Sequence, residues 1–335
     1  MNISLLNKKS SIFVILILTL VIVFSVNISA KTVIRLSNQL PPSHHISKSL
    51  ELFASKVDEY SQGKIEIKVF PSAQLFKDTE IVEAIQDGNI ELGLVPVNKW
   101  SGMIPAAEIF EMPFIFSELS SIEKAINAGV GELLDKAFQE KGAKVVFWVD
   151  YGFVQFFNSK RPLKKPEDFN GLKIRTFSNA TAETVKALGG TPVVMSSSEM
   201  YMALQRGTVD GATTGMPAAV SRKIYEVQKF LTICNYSTAQ FVVQANLDWW
   251  NDQPEKTKQI LIKAGKDAEK WLRGEIMNSE REAQKVIEEA GLEVYTLSPQ
   301  EREAFIKLTE PVRKNYAEKT GELGEKLLEI AFSVQ

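Results

Sequence analysis

Cysteine occurs once in these 335 residues and histidine twice. The lone Cys234 has no partner for an intramolecular disulfide and cannot build a zinc cluster, so a small apolar core position is its expected role. His44 and His45 are adjacent, just after Pro41 and Pro42, and read as solvated loop side chains rather than as a metal pair or a catalytic base. A hydrolase needs a nucleophile beside a base, or a metal cluster. With two loop histidines and no G-x-S-x-G elbow, an exported hydrolase is a poor reading, and neither cofactor nor metal is expected. An excess of basic charge is also missing: 39 Lys and Arg stand against 41 Asp and Glu, with a pI near 6.0. That balance argues against nucleic acid as a partner. Residues 1–30 hold Lys8 and Lys9 and no acid, so without them the net charge falls from −2 to −4. An anionic ligand would need a local basic spot.

Long apolar runs are absent after residue 26. The one such run, Ile12 to Val26, is broken only by Thr19 and Ser25, follows Lys8 and Lys9, and precedes Ile28-Ser29-Ala30. This is the order of a secretory signal, with cleavage expected after Ala30. An uncleaved anchor is the rival, since the run is near the lower bound for spanning a bilayer. No neighbouring cysteine is present to accept a lipid. The remaining chain is expected to be soluble and exported, and at 44% hydrophobic and 24% charged it can bury a sizeable core in one large or two medium domains.

The stretch from Gly171 to Leu231 organises the rest. Leu172 and Ile174 alternate with Lys173 and Arg175, the period of a half-buried strand, which places Arg175 near its carboxyl end. Ligands of open α/β sheets bind beyond such ends, and a guanidinium there offers a planar fork matched to a carboxylate. The polar loop Ser178–Thr181 opens a helix to about Leu188. Thr191–Met195 is a short strand, Ser196 and Glu199 have capping-box spacing, and Gly207 suits a helix stop. Thr208–Thr213 reads as a strand and Pro217–Phe230 as a helix.

Earlier in the chain, Val33–Leu36 and Lys64–Val69 read as strands, with an amphipathic helix over Ser47–Tyr60 between them. Asp78 is the expected cap of a helix ending at Gly88, and Ile90–Val95 a further strand. Glu80, Ala84, Gln86, Gly88 and Glu91 match Glu199, Ala203, Gln205, Gly207 and Asp210 at a constant offset of 119 positions, which points to two lobes of like construction. Met112–Phe116 is an apolar loop beneath the site or lining it. Val145–Val149 and Phe153–Asn158 read as strands, the second crossing between lobes as a hinge. Phe241–Ala245 is a return strand. Pro254 to about Ala290 carries helical periodicity through Leu261, Ala264, Ala268, Trp271, Leu272, Ile276, Ala283, Val286 and Ile287. Such a helix would be roughly 50 Å long and would span both lobes. After a short strand near Leu292–Tyr295, the remaining helices are expected to cover the second lobe.

Gly171-Leu-Lys-Ile-Arg175, Ala203-Leu-Gln-Arg-Gly207, Val209-Asp-Gly211 and Tyr225-Glu-Val-Gln-Lys-Phe-Leu231, with Ser61-Gln-Gly-Lys-Ile-Glu-Ile and Phe70-Pro-Ser-Ala-Gln-Leu, together resemble the extracytoplasmic solute receptors of TRAP transporters, the DctP-like family. The similarity runs from about Val33 to the C-terminus. It implies a two-lobed α/β periplasmic binding protein fold, mixed sheets flanked by helices, with a long helix spanning both lobes. On that plan residues 1–30 are a signal peptide, 31–152 plus about 241–281 form lobe I, and 153–240 plus about 282–335 form lobe II. The resemblance further implies no enzymatic activity and a periplasmic monomer that delivers a small organic acid to TRAP membrane subunits. A receptor for an ABC importer or a signalling partner is the alternative.

The resemblance assigns the substrate carboxylate to Arg175, with contributions from Asn38 on the first-strand loop and Gln155 on the crossing strand. Sialic-acid and dicarboxylate members often carry a second arginine where this chain has Gln155. They often have asparagine where Thr214 stands, and some have an aromatic at Ser197. These departures keep one carboxylate clamp and put sialic acid and doubly clamped diacids in doubt. Tyr151, Phe177 and Tyr236 are candidates for the pocket wall, with plain core packing the alternative for each. The acid itself (mono- or dicarboxylate, hydroxy- or keto-acid, or a sulfonate) is left open.

Overall fold

The computed structural model describes residues 31–335; the expected signal sequence and its cleavage site lie outside them. Strand β1 (Thr32–Ser37) buries Ile34 and Leu36 and leads through Asn38–Leu40 into helix α1 (His45–Ser61). Leu50, Phe53 and Val57 share one face of α1 at helical spacing, and all three are fully buried. Strand β2 (Ile65–Phe70) turns Ile65 and Ile67 inward. Helix α2 (Ile81–Gln86) and strand β3 (Leu92–Pro96) follow, then two 3-10 turns and helices α3 (Leu119–Ala125) and α4 (Gly131–Gln139). Met112, Ile115 and Phe116 are buried in a core cluster with Ile109, Phe110 and Trp148.

Where the sequence pattern suggests two strands, the structure has one, β4 (Ala143–Asn158). Register shifts near Phe147, Gly152 and Phe156 absorb the breaks in alternation, so pairing continues past Gly152. Then come β5 (Lys173–Thr176), α5 (Asn179–Ala187), β6 (Thr191–Val194), α6 (Met200–Gln205) and β7 (Gly211–Thr214). The helix expected over Pro217–Phe230 is cut short. Helix α7 (Met216–Ser221) stops where Lys223 takes a left-handed conformation (φ 58°), and one 3-10 turn follows. Phe230 instead opens β8 (Phe230–Asn246), 17 residues long and rich in β-branched side chains, in place of a short return strand. Helix α8 (Leu247–Asp252) is capped by Asn246, whose side chain accepts from Trp249 N at 2.8 Å.

The expected long helix is α9 (Glu255–Glu289), 35 residues, with Leu261, Ala264, Ala268, Leu272, Ile276, Ala283 and Ile287 buried. Trp271 and Val286, expected on the same face, are more than a third exposed. Strand β9 (Glu293–Thr296) and helix α10 (Pro299–Ser333) end the chain. Helix α10 does more than cover the second half. Phe305 packs edge-on against Phe169, but Tyr316 donates to Ala106 O at 2.8 Å, and beyond a kink at Gly321 Leu327 and Ala331 join the core around Phe110.

The nine strands of the described residues form one mixed sheet in the order β2-β1-β3-β8-β4-β7-β5-β6, with β9 beside β8. That order reads alike from either end. Strands β1 and β3 are parallel, as are β5 and β7, while β3 runs antiparallel to β8 and β7 antiparallel to β4. The 119-residue echo lies on this plan, since α2 and β3 start 119 residues before α6 and β7. Both helices stop at a glycine with φ +69° (Gly88, Gly207), and Asn89 N→Ala84 O and Thr208 N→Ala203 O are both 2.9 Å. The likeness is therefore structural as well as textual.

Long strands β4 and β8 are the shared centre, and α9 packs across α1, β4 and α7. The helix crowds β4 at Gly152, where φ is +113° and an added Cβ would lie 2.3 Å from Glu280 Oε1 on α9. Gly152→Ala should therefore lose about 1–3 kcal/mol through strain and overpacking. Urea unfolding beside Gly102→Ala, where an added Cβ meets nothing within 4 Å, checks this; equal midpoints would refute it.

Candidate functional site

A cavity of about 40 Å³ sits where strand ends from both halves of the sheet converge. Gln39 and Leu40 enter it after β1, Pro96, Asn98 and Lys99 from the end of β3, Arg175 and Phe177 from β5, Ser197 from beyond β6 and Thr214 from the end of β7. Tyr151 of β4 and Phe241 of β8 supply apolar wall. Burying one guanidinium among these ends is the costly step, since a buried charge needs partners. Arg175 is 2% exposed. Its Nε and Nη2 donate to Met195 O at 3.2 and 3.0 Å, and Nη1 donates to Thr213 O at 3.2 Å. Three of five N–H donors are thereby used. Among the described residues no carboxylate oxygen lies within salt-bridge distance of it. Burial pushes its pKa down to about 10, against an opposing pull from Asp78, so it stays charged at neutral pH.

Asp78, expected as a helix cap, is instead a cavity residue. It accepts from Ser196 Oγ and pairs with Lys99 Nζ at 3.0 Å, while α2 begins after Glu80. Burial pushes the Asp78 carboxyl up, but Lys99 and the Ser196 hydroxyl more than offset it, leaving the pKa below the usual carboxylate value. The Ser196–Glu199 capping box does not form, because the Ser196 hydroxyl turns to Asp78 and Glu199 is itself the N-cap residue of α6, with no capping bond from its side chain. Lys99 also donates to Phe177 O at 3.1 Å. A second guanidinium arrives from α7, where Arg222 Nη2 donates to Gln39 O at 2.8 Å and to Ser197 Oγ at 3.2 Å. Burial lowers its pKa too.

Larger space exists beside α9, an open groove of about 480 Å³ lined by Glu123, Asp150 and Arg273. Its guanidinium is already paired with Glu123, Asp150 and Glu269 at 2.5–2.9 Å, so it offers no free positive charge.

Residues 36–320 match the family described as bacterial extracellular solute-binding protein, family 7. This chain belongs to that family. It is 31% identical over 293 residues to a C4-dicarboxylate-binding periplasmic protein of Rhodobacter capsulatus, covering 86% of this chain and 87% of that one. The fold superposes with a TM-score of 0.86, at 29% identity, on a TRAP periplasmic solute-binding protein of Sulfurospirillum deleyianum crystallised with succinate, covering 91% of this chain and 100% of that one. One from Chromohalobacter salexigens with bound D-glucuronate gives 0.85 at 26% identity, covering 90% and 100%. Family 7 members are receptors that bind solutes.

Among the residues singled out from the sequence of this family 7 chain, the cavity brings together Arg175, Tyr151, Phe177, Ser197 and Thr214. Tyr151 hydroxyl bonds Thr214 Oγ1 at 3.0 Å and accepts from Gly215 N at 3.2 Å. Three others stand behind the wall. The Asn38 side chain donates to Ser47 Oγ and accepts from Leu40 N, both within 2.9 Å, which fixes the loop after β1. Gln155 accepts from Cys234 N and Asn235 N at 2.9 and 3.0 Å and donates to Asn235, so its amide is consumed by a bulge in β8. Tyr236 is fully buried and stacked on Phe156 at 4.3 Å. Cys234 is a core residue whose thiol burial pushes up to about 12. Sequence reasoning missed Asp78 as a cavity group, and Lys99 and Arg222 altogether; each is brought in by tertiary pairing, and no local spacing signals it.

The histidine expectation is reversed. His44 and His45 are 1% and 4% exposed. His44 caps α1 by accepting from Ile46 N through Nδ1 at 3.1 Å, and its ring stacks on His45 and on Tyr151 of the cavity wall. Burial drives both pKa values down, His45 to about 4 and His44 well below 6.5. A depressed histidine costs nothing above pH 6.5, where folded and unfolded forms are both neutral. Below that the unfolded chain gains protons first, so stability drains away as pH falls toward 4. Between pH 7 and 5 His45 should account for roughly 2 kcal/mol of lost stability. Urea titrations at both pH values should show a smaller loss for His45→Gln than for the parent; equal losses would refute it.

Proposed function

We propose that this chain is an exported receptor that captures one small organic acid, seats its carboxylate on Arg175 and delivers it to the membrane subunits of a TRAP-type secondary transporter. One observation carries the reading: a buried guanidinium at converging strand ends, hydrogen-bonded among the described residues to backbone carbonyls and lying over the Phe177 ring, with two N–H donors left for an anion. The acids named for the relatives, succinate and D-glucuronate, support the class. Lys99, Ser197, Thr214 and Tyr151 complete the polar and aromatic lining of the proposed site.

The two ends of the sheet are the proposed lobes, 31–152 with about 241–281 and 153–240 with about 282–335, moving about β4 and β8. Closure is supported by contacts that cross the cleft: Ser196 to Asp78, Lys99 to Phe177 O, and Arg222 to Gln39 O. Such a hinge buries the ligand between lobes and excludes water. The receptor works as a monomer, freed of residues 1–30 after Ala30, and catalyses no reaction. Among the described residues no helix is long and apolar enough to cross a membrane, and none of the groups of His, Cys, Asp and Glu is arranged to hold a metal.

Arg175→Ala would leave the acid buried without its partner, at a cost of about 3–5 kcal/mol. That corresponds to at least ~100-fold in affinity. Arg175→Lys should also weaken binding, because a point charge replaces a two-pronged donor. Calorimetry with whichever organic acid raises the melting temperature most in a screen is the check. Unchanged affinity in Arg175→Ala would remove the clamp.

A further inference from the structure

Two carboxyl groups that the proposed acid clamp does not use meet at the boundary between the proposed lobes. Glu108 and Glu111 lie three residues apart on the 3-10 turn Pro105–Glu111, a spacing that stacks side chains along one edge. The turn belongs to the first proposed lobe, and the start of α5, in the second, stands against it. Glu108 Oε1 accepts from Asn179 N, the first residue of α5, at 3.0 Å, and so takes an amide that the Ser178 cap leaves over. Glu111 is 3% exposed. Its carboxyl accepts from Asn98 Nδ2, an amide of the cavity lining, while Oε2 has no hydrogen-bond partner among the described residues. Ionised, this group would be a buried charge only partly compensated, beside a like charge on the same turn.

We propose that Glu108 and Glu111 form a proton-coupled latch, in which closure over the ligand brings α5 onto Glu108 and buries Glu111 as a neutral acid that takes its proton from solvent. The inference rests on the proposed receptor that closes over an acid. Glu111 is not among the cavity-lining residues, so it acts through Asn98 and α5, as a positioning residue. The groups facing the pair set the balance. Burial pushes the Glu111 carboxyl well above the usual carboxylate value and the charge of Glu108 adds to it, against the pull of Ser178, Asn98 and Lys99. Lys99 is itself paired with Asp78 at 3.0 Å. Burial raises Glu108 too, opposed by the amides of Ala180 and Asn179, by Ser101 and by Lys319 of α10. Tyr236 of β8 and Tyr316 of α10, which also feel the pair's charge, stay neutral because burial raises both. In an open form water reaches the pair, and Glu111 returns toward an ordinary carboxylate. Between the two pKa values closing therefore consumes a proton, and affinity rises as pH falls.

The test is calorimetry on the mature protein with D-glucuronate and with succinate, in buffers of differing ionisation enthalpy, at pH 7 and pH 8, where both acids stay ionised. The parent should take up at least about half a proton per acid bound at pH 7, and bind about three- to tenfold more tightly there than at pH 8. Glu111→Gln, which keeps the shape of the neutral acid, should abolish the uptake, bind equally at both pH values and stay within about threefold of the parent at pH 7. Glu108→Gln removes the neighbouring charge and should reduce the uptake at pH 7 without abolishing it. Melting temperatures without ligand confirm that both variants are folded. A parent that takes up no proton, or an uptake that survives Glu111→Gln, would overturn the latch while the acid-receptor reading stands. If neither probe binds, nor any other organic acid in a wider screen, that reading fails together with this one.

Discussion

Two buried guanidiniums, neither paired with a carboxylate among the described residues, set the terms for the rest of the molecule. A charge in such a position is tolerated only where hydrogen bonds replace lost water. The sheet supplies them: Arg175 ends β5, and the carbonyls of Met195 and Thr213 lie past β6 and at the end of β7, the two strands that flank it. Parallel neighbours bring their carboxyl ends to the same edge, so carbonyls and side chains converge there. Arg222 solves the same problem with Gln39 O, which ties α7 to the loop after β1. Asp78 is paired with Lys99 and Ser196 rather than with either arginine, although its charge still pulls on both.

The convergence is a consequence of topology. A sheet whose order reads alike from both ends places two sets of strand ends opposite each other, with β4 and β8 as the shared centre. Each set alone would offer half a site: Gln39, Asp78 and Lys99 on one side, Arg175, Ser197, Thr214 and Arg222 on the other. Helix α9 braces the pair, and its packing admits no side chain at two places. A Cβ at Gly265 would sit 2.7 Å from the Phe147 ring, as one at Gly152 would strike Glu280. Helix and strands are therefore pressed together at the bulge where the two halves meet.

Much of this plan is legible in the residues. Alternation about Ile174 marks a short strand and sets Arg175 at its end, and the long apolar drift from Leu261 to Ile287 marks α9, because both patterns are local and periodic. The echo at 119 residues foretells the matching helix, glycine stop and strand. What could not be read are choices settled across long separations. Ser196 has a capping partner three residues away and takes Asp78 instead, 118 residues distant. The break at Gly152 looks like the end of one strand and the start of another, yet β8 is long enough to bridge it through a bulge. His44 and His45 sit in a polar, proline-led stretch that suggests solvent, and are buried at the start of α1, with the His44 ring stacked on Tyr151 and the His45 ring stacked on His44.

The fate of Gln155 shows why transferring a site by motif position has limits. A neutral residue there argues against a second cation only if that position alone can deliver one to the cavity. The field at a ligand depends on where charges end up, and opposite charge relieves a buried one from whichever element it comes. In this chain the side chain at position 155 is drawn into holding the bulge of β8, while the turn that ends α7 at Arg222 and Lys223 brings a guanidinium into the cavity lining, within reach of Gln39 O. That turn is also the reason the expected helix stops early. The departure from helical geometry at Lys223 and the arrival of a second positive charge in the cavity are thus one structural event, seen first as a failed expectation about secondary structure.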